Sequence, residues 1–357
     1  MIELVNWWYL VPIIPIFYFL FRRLVLERFE LSDSKGKYVF VTGCDSGFGK
    51  LLVSELLKKE MNVVAGCFTE SGKCDLIKEN IGSTGELYVV ILDVTKQESV
   101  QEVFKFVESL MSQKNTTLWS VVNNAGANIF KGPNDWYTVE DFENSIDINL
   151  VGPIRICQTF TPLLKKSKGR FVTMISCSGR IHGFWLGPYT TAKFGLEGYM
   201  DNLRLDMQIF GIGVSVLEPG CFKTPLTEDK GLECRVNKTW DSLSEDIKAD
   251  YGLQFKDNLI SSWHSGVNII ASRNLYTVVD NYVHAICATF PRKRYICGVD
   301  AWLLFLPLSY LPSTIQDLLL TFIFNLNPGP SLLPAFKCSE RVTSELNNNS
   351  STKKKVL

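Results

Sequence analysis

The stretch that decides the fold is KYVFVTGCDSGFGK at residues 37–50, followed by LLVSELLKKE at residues 51–60. The first segment opens with a short apolar run typical of a buried parallel strand, and the second has the apolar spacing of a helix. Between them, Gly43 permits a tight turn, Gly47 lets the backbone approach a pyrophosphate, and Gly49 allows close packing of the helix. A strand, a glycine-rich turn and a helix in this order predict a dinucleotide site at the helix N-terminus.

The alternation of strands and helices continues along the chain. Nearly every motif falls at or just after the carboxyl end of one of these later apolar runs, where a parallel sheet binds ligands. These runs are MNVVAGCF (61–68), LYVVILDV (87–94), WSVVNNAG (119–126), GRFVTMIS (169–176) and GVSVLEPG (213–220). The pattern predicts an α/β fold of the Rossmann type, a doubly wound parallel sheet with helices on both faces.

Tyr189 and Lys193 lie four residues apart in the segment YTTAK, shortly after Ser176 at the end of the GRFVTMIS strand. Residues at this spacing share one face of a helix. A free tyrosine has a pKa of about 10 and is a poor base at neutral pH. An ammonium beside the phenol favours the phenolate and lowers that pKa, which predicts a general acid/base for an alcohol or a carbonyl. The Ser176 hydroxyl could hold the substrate oxygen.

A set of six features resembles the short-chain dehydrogenase/reductase family, and the resemblance covers residues 36–335. They are TGCDSGFG (42–49), NNAG (123–126), Asn149 in DINLVG, Ser176, YTTAK (189–193) and PGCFKT (219–224). Their wording is similar to one branch of the family. That branch holds membrane-bound retinol dehydrogenases, 17β- and 3α-hydroxysteroid dehydrogenases and a related hydroxybutyrate dehydrogenase.

The resemblance implies a role for each matching position. Tyr189 matches the proton donor and acceptor, and Lys193 matches the residue that lowers its pKa and holds the nicotinamide ribose. Ser176 matches the stabiliser of the substrate oxygen, and Asn149 the residue that organises a helix kink and a water in the proton relay. The positions expected to contact a nicotinamide cofactor are Gly43, Ser46, Gly47, Phe48, Gly49, Asp93, Val94, Asn124, Ala125, Gly126, Tyr189, Lys193, Pro219, Gly220 and Thr224.

The choice of cofactor depends on charges near the adenine ribose. NADP requires a cation for its 2′-phosphate, whereas NAD usually has an acidic partner on the 2′-hydroxyl. The second strand is followed by Cys67-Phe68-Thr69-Glu70, and no Arg or Lys occurs until Lys73. The glycine turn also carries Ser46, not a base, before Gly47. These residues favour NAD over NADP, with Glu70 as the candidate acidic partner.

Composition narrows the function further. The chain has 357 residues with 37 basic and 37 acidic side chains, so its formal net charge is zero and nucleic acid binding has no electrostatic support. The ten cysteines show neither paired nor metal-like spacing, and none of the three histidines sits in a ligand motif. We therefore expect no metal site.

The sequence predicts that the N-terminus is a module separate from the catalytic domain. Leu4–Phe21 is apolar except for Asn6, and arginines follow it, which predicts a membrane anchor at residues 1–28. An interfacial or hairpin anchor remains an alternative, because Pro12 and Pro15 interrupt the segment. The positive residues after the apolar run place the catalytic domain in the cytosol.

The C-terminus ends in KKKVL, which resembles a di-lysine retrieval signal and indicates the endoplasmic reticulum membrane. Glycosylation triplets at Asn115, Asn237, Asn348 and Asn349 would matter only if the domain were lumenal. Residues 337–357 read as a polar, disordered tail. The apolar stretch at residues 301–326 reads as domain packing with possible membrane contact.

The alternation of strands and helices stops between Pro225 and Asn274, and we expect a substrate lid at residues 226–274. The resulting hypothesis is hydride transfer between NAD and an apolar secondary or allylic alcohol, of retinol or hydroxysteroid type. A hydroxybutyrate-type substrate, which needs a cation beside the pocket such as Lys223 or Arg235, and a non-catalytic nucleotide-binding scaffold remain alternatives. The expected partners are the apolar substrate, the membrane and a second copy of the chain in a homodimer.

Overall fold

A computed structural model describes residues 10–228, 231–326, 332, 334 and 335 of the chain. Its centre is a seven-stranded parallel sheet in the order β3-β2-β1-β4-β5-β6-β7. The strands are β1 (Tyr38–Thr42), β2 (Asn62–Cys67), β3 (Leu87–Ile91), β4 (Leu118–Asn123), β5 (Arg170–Met174), β6 (Gly213–Pro219) and β7 (Arg294–Cys297). The predicted doubly wound Rossmann-type sheet is confirmed. Strand β7 was not predicted from the sequence, because its four residues are too few to form a recognisable apolar run.

Helices cover both faces of the sheet. They are α1 (Leu10–Leu24), α2 (Gly47–Lys58), α3 (Glu70–Glu79), α4 (Gln97–Gln113), α5 (Val139–Ile146), α6 (Gly152–Ser167), α7 (Gly187–Met207), α8 (Leu232–Ser242), α9 (Glu245–Tyr251), α10 (Leu253–Ile270), α11 (Tyr276–Cys287), α12 (Leu306–Ser309) and α13 (Ser313–Asn325). Alternate residues of β1 pack to opposite sides: Phe40 against α4 and α6, and Val41 against α2 and α11. Every residue of β1 is buried, as expected of a strand covered on both faces.

The segment expected to be a lid folds as α8, α9 and α10. Its buried side chains include Trp240 and Leu259, and they form an apolar cluster separate from the two sheet faces. Trp136, in the loop after β4, anchors the cluster, with its ring centroid 5.5 Å from those of Trp240 and Tyr251. The lid is therefore packed against the loop at the carboxyl end of the sheet, next to the candidate site.

From Leu10 onward, the N-terminal apolar run forms α1, a continuous helix with Pro15 inside it. None of the helices in the described part of the chain has the length and hydropathy that a transmembrane segment requires. The predicted anchor also includes residues 1–9, which lie outside the described residues. Beyond α1, Glu27 is buried and pairs with Arg292 at 2.6 Å and with Arg23 at 3.1 Å. These ion pairs fix the chain after α1 to the edge of the sheet.

The stretch at 301–326 folds as a π-helical turn (Ala301–Phe305), α12 and α13. Helix α13 is fixed at one end by Phe324, which packs against Phe184 and Trp185 at centroid distances of 4.5 and 5.1 Å. Other apolar side chains of α13 point outward, including Leu318 and Phe322, which are more than half exposed. The polar tail at 337–357 lies outside the described residues.

Candidate active site

The glycine turn between β1 and α2 has little room for side chains. Gly43 has a φ of +70°, and a Cβ there would lie 2.7 Å from the Cα of Ala125. Gly47 also has a positive φ, +59°. A Cβ on Gly49 would lie 2.3 Å from the carbonyl oxygen of Gly43, so the helix can start this close to the turn only with glycine. The turn therefore leaves bare backbone at the N-terminus of α2, which fits a pyrophosphate.

Hydrogen bonds join this turn to the end of β4. The Thr42 hydroxyl oxygen accepts from the backbone N–H groups of Asn124 at 3.1 Å and Ala125 at 3.0 Å. In return, the Asn124 amide donates to the carbonyl oxygens of Thr42 and Gly43 at 3.1 and 2.9 Å. The NNAG segment at the end of β4 therefore fixes the position of the glycine turn.

A cavity of about 700 Å³ runs along the carboxyl ends of the strands. It brings together all the predicted catalytic positions and every predicted cofactor position except Gly49, which is covered by the turn. The lining positions that were predicted are Gly43, Ser46, Gly47, Phe48, Asp93, Val94, Asn124, Ala125, Gly126, Asn149, Ser176, Tyr189, Lys193, Pro219, Gly220 and Thr224. Glu70 is not among the lining residues; its side chain is 71% exposed and pairs with Lys73 at 3.6 Å.

Tyr189 and Lys193 lie on the first turns of α7, as the spacing predicts. The Lys193 Nζ lies 5.6 Å from the centroid of the Tyr189 ring and donates to the carbonyl oxygen of Met174 at 3.2 Å. Met174 ends β5, just before Ser176, so this hydrogen bond ties the helix of the Tyr–Lys pair to the strand that delivers the serine.

Burial changes the electrostatics expected from the sequence. Burial raises the pKa of Tyr189 well above its usual value, and a hydrogen bond with Ser176 offsets this only in part. Burial also lowers the pKa of Lys193 to about 8. The expected lowering of the phenol pKa is therefore wrong for the protein alone, because burial disfavours the charged form of the phenol.

Asn149 lies in a π-helical turn, Asp147–Val151, that joins α5 to α6, and it is fully buried. Its amide donates to the carbonyl oxygens of Ala127 at 2.8 Å and Ser145 at 3.0 Å, while its Oδ1 accepts from the Ala127 N–H at 3.1 Å. A single π-turn inside a helix produces a kink and is frequent at functional sites. Asn149 therefore fixes the loop after β4 from inside a helix and is not a helix cap.

Gly126 is the point where the two halves of the site meet. A Cβ at this position would lie 3.0 Å from the Asn149 Oδ1 and 3.8 Å from the Lys193 Nζ. Ser176, which is largely buried, accepts from the Ser178 N–H at 3.1 Å at the start of a short turn. The four predicted catalytic side chains therefore surround one end of the same cavity.

Sequence reasoning missed Asp300. Its Oδ2 accepts from the Cys221 N–H at 2.6 Å, and a Cβ on Gly220 would lie 2.1 Å from the same oxygen. This carboxylate therefore fixes the Pro219–Gly220–Cys221 loop, and the loop can approach it only because Gly220 has no side chain. The signal was absent from the sequence because Asp300 follows β7, the strand that was not predicted.

A buried ion network beneath the same loop was also missed. Glu218 is almost fully buried at the end of β6, and its carboxylate pairs with Arg180 from the Ser176 loop and at 2.6 Å with Arg294 from β7. Burial raises the pKa of Glu218, and the hydrogen bond with Arg180 counteracts this. The network joins the loop after β5 to strands β6 and β7.

Comparison with known proteins agrees with this geometry. Residues 37–234 match the family model described as short chain dehydrogenase. The chain is 47% identical over 338 residues to the 3beta-hydroxysteroid dehydrogenase dhs-16 of Caenorhabditis elegans. The aligned region covers 94% of this chain and 86% of that protein. It is 39% identical over 311 residues to retinol dehydrogenase 7 of Rattus norvegicus, with coverages of 87% and 95%.

Two solved structures share the fold. A short chain dehydrogenase/reductase from Burkholderia phymatum in complex with NAD has a TM-score of 0.64 at 17% identity, covering 81% of this chain and 97% of that one. A short chain dehydrogenase from Burkholderia cenocepacia J2315 in complex with NADP has a TM-score of 0.57 at 18% identity, with coverages of 80% and 98%. With the family match and the full-length relatives, the chain belongs to the short-chain dehydrogenase family of oxidoreductases.

Proposed function

We propose that the protein transfers a hydride between NAD and an apolar secondary or allylic alcohol of the retinol or hydroxysteroid type. The observation that carries this proposal is the convergence of Asn149, Ser176, Tyr189 and Lys193 on one cavity, whose other end is the glycine turn. The bare backbone at Gly43 and Gly47 fits a dinucleotide pyrophosphate. When bound, the nicotinamide ring of that cofactor accepts or donates the hydride.

The side chains of this chain manage the proton and the substrate oxygen. During oxidation the Tyr189 phenolate oxygen takes the proton of the alcohol, and during reduction the neutral Tyr189 hydroxyl gives its proton to the carbonyl oxygen. The Ser176 hydroxyl holds the same oxygen in place. The positive charge of the Lys193 ammonium stabilises the phenolate that forms during this exchange. Asn149 fixes the loop after β4 through its hydrogen bonds with Ala127, and Gly126 of this loop lies between Asn149 and Lys193.

The walls on the lid side support an apolar substrate. Leu186, Leu226, Trp263 and Val267 line the cavity there. Within the described residues, the lysines that line the cavity are Lys96 and Lys193, and neither belongs to the lid.

A small acid would need a cation on that wall, and the two candidates from the sequence lie elsewhere. Lys223 does not line the cavity and donates to Asn268 at 2.6 Å. Arg235 does not line it either and donates to the carbonyl oxygen of Phe130 at 3.3 Å. This arrangement favours a retinoid or steroid over hydroxybutyrate. The similarity to a hydroxysteroid dehydrogenase and a retinol dehydrogenase points to the same substrate class.

The proposal includes attachment to the endoplasmic reticulum membrane with a cytosolic catalytic domain. Helix α1 supports it, because Ile14, Phe17 and Tyr18 are each more than half exposed among the described residues. The exposed apolar side chains of α13 would add a second contact. An apolar substrate partitions into the bilayer, so attachment would keep the cavity near its supply.

The experiment that tests the proposal is a substrate panel on membranes that contain the expressed protein. Retinols, hydroxysteroids with different hydroxyl positions and 3-hydroxybutyrate are each supplied with NAD and with NADP, and Tyr189→Phe membranes are the control. We expect NAD-dependent oxidation of a retinol or a hydroxysteroid that is absent from the control. Turnover of 3-hydroxybutyrate alone, or equal turnover by the control, would contradict the proposal.

A further inference from the structure

We infer that Asp45 sets the preference for NAD over NADP, because its carboxylate holds the place where NADP carries its 2′-phosphate. This inference rests on the proposed NAD-dependent function and gives it a residue. Asp45 belongs to the glycine turn, was not among the predicted cofactor positions, and lines the adenine end of the cavity with Phe68.

Three hydrogen bonds fix the Asp45 carboxylate against the end of β2. Its Oδ2 accepts from the Phe68 N–H at 2.8 Å. Its Oδ1 accepts from the Thr69 N–H and from the Thr69 hydroxyl, both at 2.8 Å. In a doubly wound fold, the residues just after this strand contact the ribose that carries the 2′-hydroxyl of NAD or the 2′-phosphate of NADP. The carboxylate therefore lies where the two cofactors differ.

The N–H groups of Phe68 and Thr69 would otherwise suit a phosphate. Thr69 is the N-cap of α3, and the start of a helix attracts anions. Asp45 already satisfies these donors with its own negative charge. A phosphate placed here would lose the N–H partners and meet a like charge, whereas a neutral ribose hydroxyl can donate to the carboxylate.

The glycine at position 72 makes this arrangement possible. A Cβ on Gly72 would lie 2.5 Å from the Asp45 Oδ1, so a larger residue on α3 would force the carboxylate away. Lys50 and Lys73, whose charges act on the neighbouring Cys67, are paired with carboxylates: Lys50 with Glu79 at 2.7 Å, and Lys73 with Glu70 at 3.6 Å. These ion pairs occupy both ammonium groups, whereas the Asp45 carboxylate lines the cavity.

The test compares Asp45→Asn with the matched control Glu70→Gln, which removes a negative charge at the start of α3 from a side chain that does not line the cavity. Dissociation constants for NAD and NADP are measured by calorimetry on the full-length protein in detergent, so that the result does not depend on turnover. We expect Asp45→Asn to lower the preference for NAD, the ratio of the two constants, by at least about tenfold. Glu70→Gln should leave the ratio within about twofold, because an exposed charge is screened by solvent.

The outcomes separate this inference from the function on which it rests. A wild-type protein that binds NADP more tightly overturns both the inference and the NAD assignment. A wild-type preference for NAD that Asp45→Asn leaves unchanged, or that Glu70→Gln abolishes, overturns the inference alone. Binding ratios that shift as expected while no alcohol is oxidised support the inference and contradict the proposed substrates. Should Asp45→Asn fail to fold, Asp45→Ser is measured in the same way, since serine keeps a hydroxyl acceptor for the N–H groups without the charge.

Discussion

Replacing Lys193 with Met should change how stability depends on pH. Lys193 is 3% exposed, and burial lowers its pKa from 10.5 to about 8. A difference of this size corresponds to about 3 kcal/mol of unfavourable free energy for keeping the ammonium charged in the folded protein. Methionine fills a similar volume without the charge, so at neutral pH the variant avoids that cost.

The sign follows from proton linkage. Below about pH 8 the lysine is charged in both the folded and the unfolded chain, and the wild type bears the whole cost. Between about pH 8 and about pH 10.5 the folded chain has released the proton while the unfolded chain still holds it, so wild-type stability from this group rises with pH. The free energy of unfolding of Lys193→Met minus that of the wild type should therefore be flat up to about pH 7 and then fall by up to about 3 kcal/mol.

The assay is urea unfolding of the cofactor-free protein in detergent at several pH values from about 7 to about 10, where other groups titrate equally in both proteins. The exposed Lys105 of α4, replaced by Met, is the matched control and should give a flat difference throughout. A flat difference for Lys193→Met over the same range would refute the argument that the ammonium is held charged in a dry site. A difference that rises with pH would refute it as well.

Other substitutions test the site and the topology. Gly126→Ala should reduce kcat/KM by at least about tenfold, because its Cβ would lie 3.0 Å from the Asn149 Oδ1; an unchanged value would mean that this contact is unimportant. Phe68→Arg should shift the cofactor preference toward NADP in binding assays, since Phe68 is 65% exposed beside the ribose position. Cys67→Arg should fail to fold, because Cys67 is fully buried. A folded Cys67→Arg protein that prefers NADP, with no shift in Phe68→Arg, would mean that residue 67 and not residue 68 faces the ribose. In intact microsomes the catalytic domain should be cut by added protease, and glycosidase should cause no mobility shift at the triplet of Asn115; a protected, glycosylated domain would place it in the lumen.

Much of the site could be predicted because its signals are local in sequence. The glycine turn and the Tyr189–Lys193 spacing are each contained within a few residues, and each constrains the backbone by itself. Alternating apolar runs predicted six strands for the same reason. The location of the site could be predicted from a general rule, because ligands bind at the carboxyl ends of parallel strands.

The features that escaped prediction depend on contacts between distant residues. Asp300 lies against Gly220 only because the short β7 pairs with β6. Asp45 accepts a hydrogen bond from Phe68, although α2 and β2 separate the two residues in the sequence. Desolvation is not visible in the sequence either. For that reason the pKa of Tyr189 was expected to fall, whereas burial raises it in the protein alone.

The central claim is that Tyr189 exchanges the proton during hydride transfer to a nicotinamide cofactor. It is tested most directly with an alcohol deuterated at its carbinol carbon, by following label into the cofactor for the wild type and for Tyr189→Phe. We predict that label appears in NADH with the wild type. In the variant the rate should fall by at least about a hundredfold, while the dissociation constant for NAD stays within about threefold. Transfer by Tyr189→Phe at a rate close to that of the wild type would contradict the account.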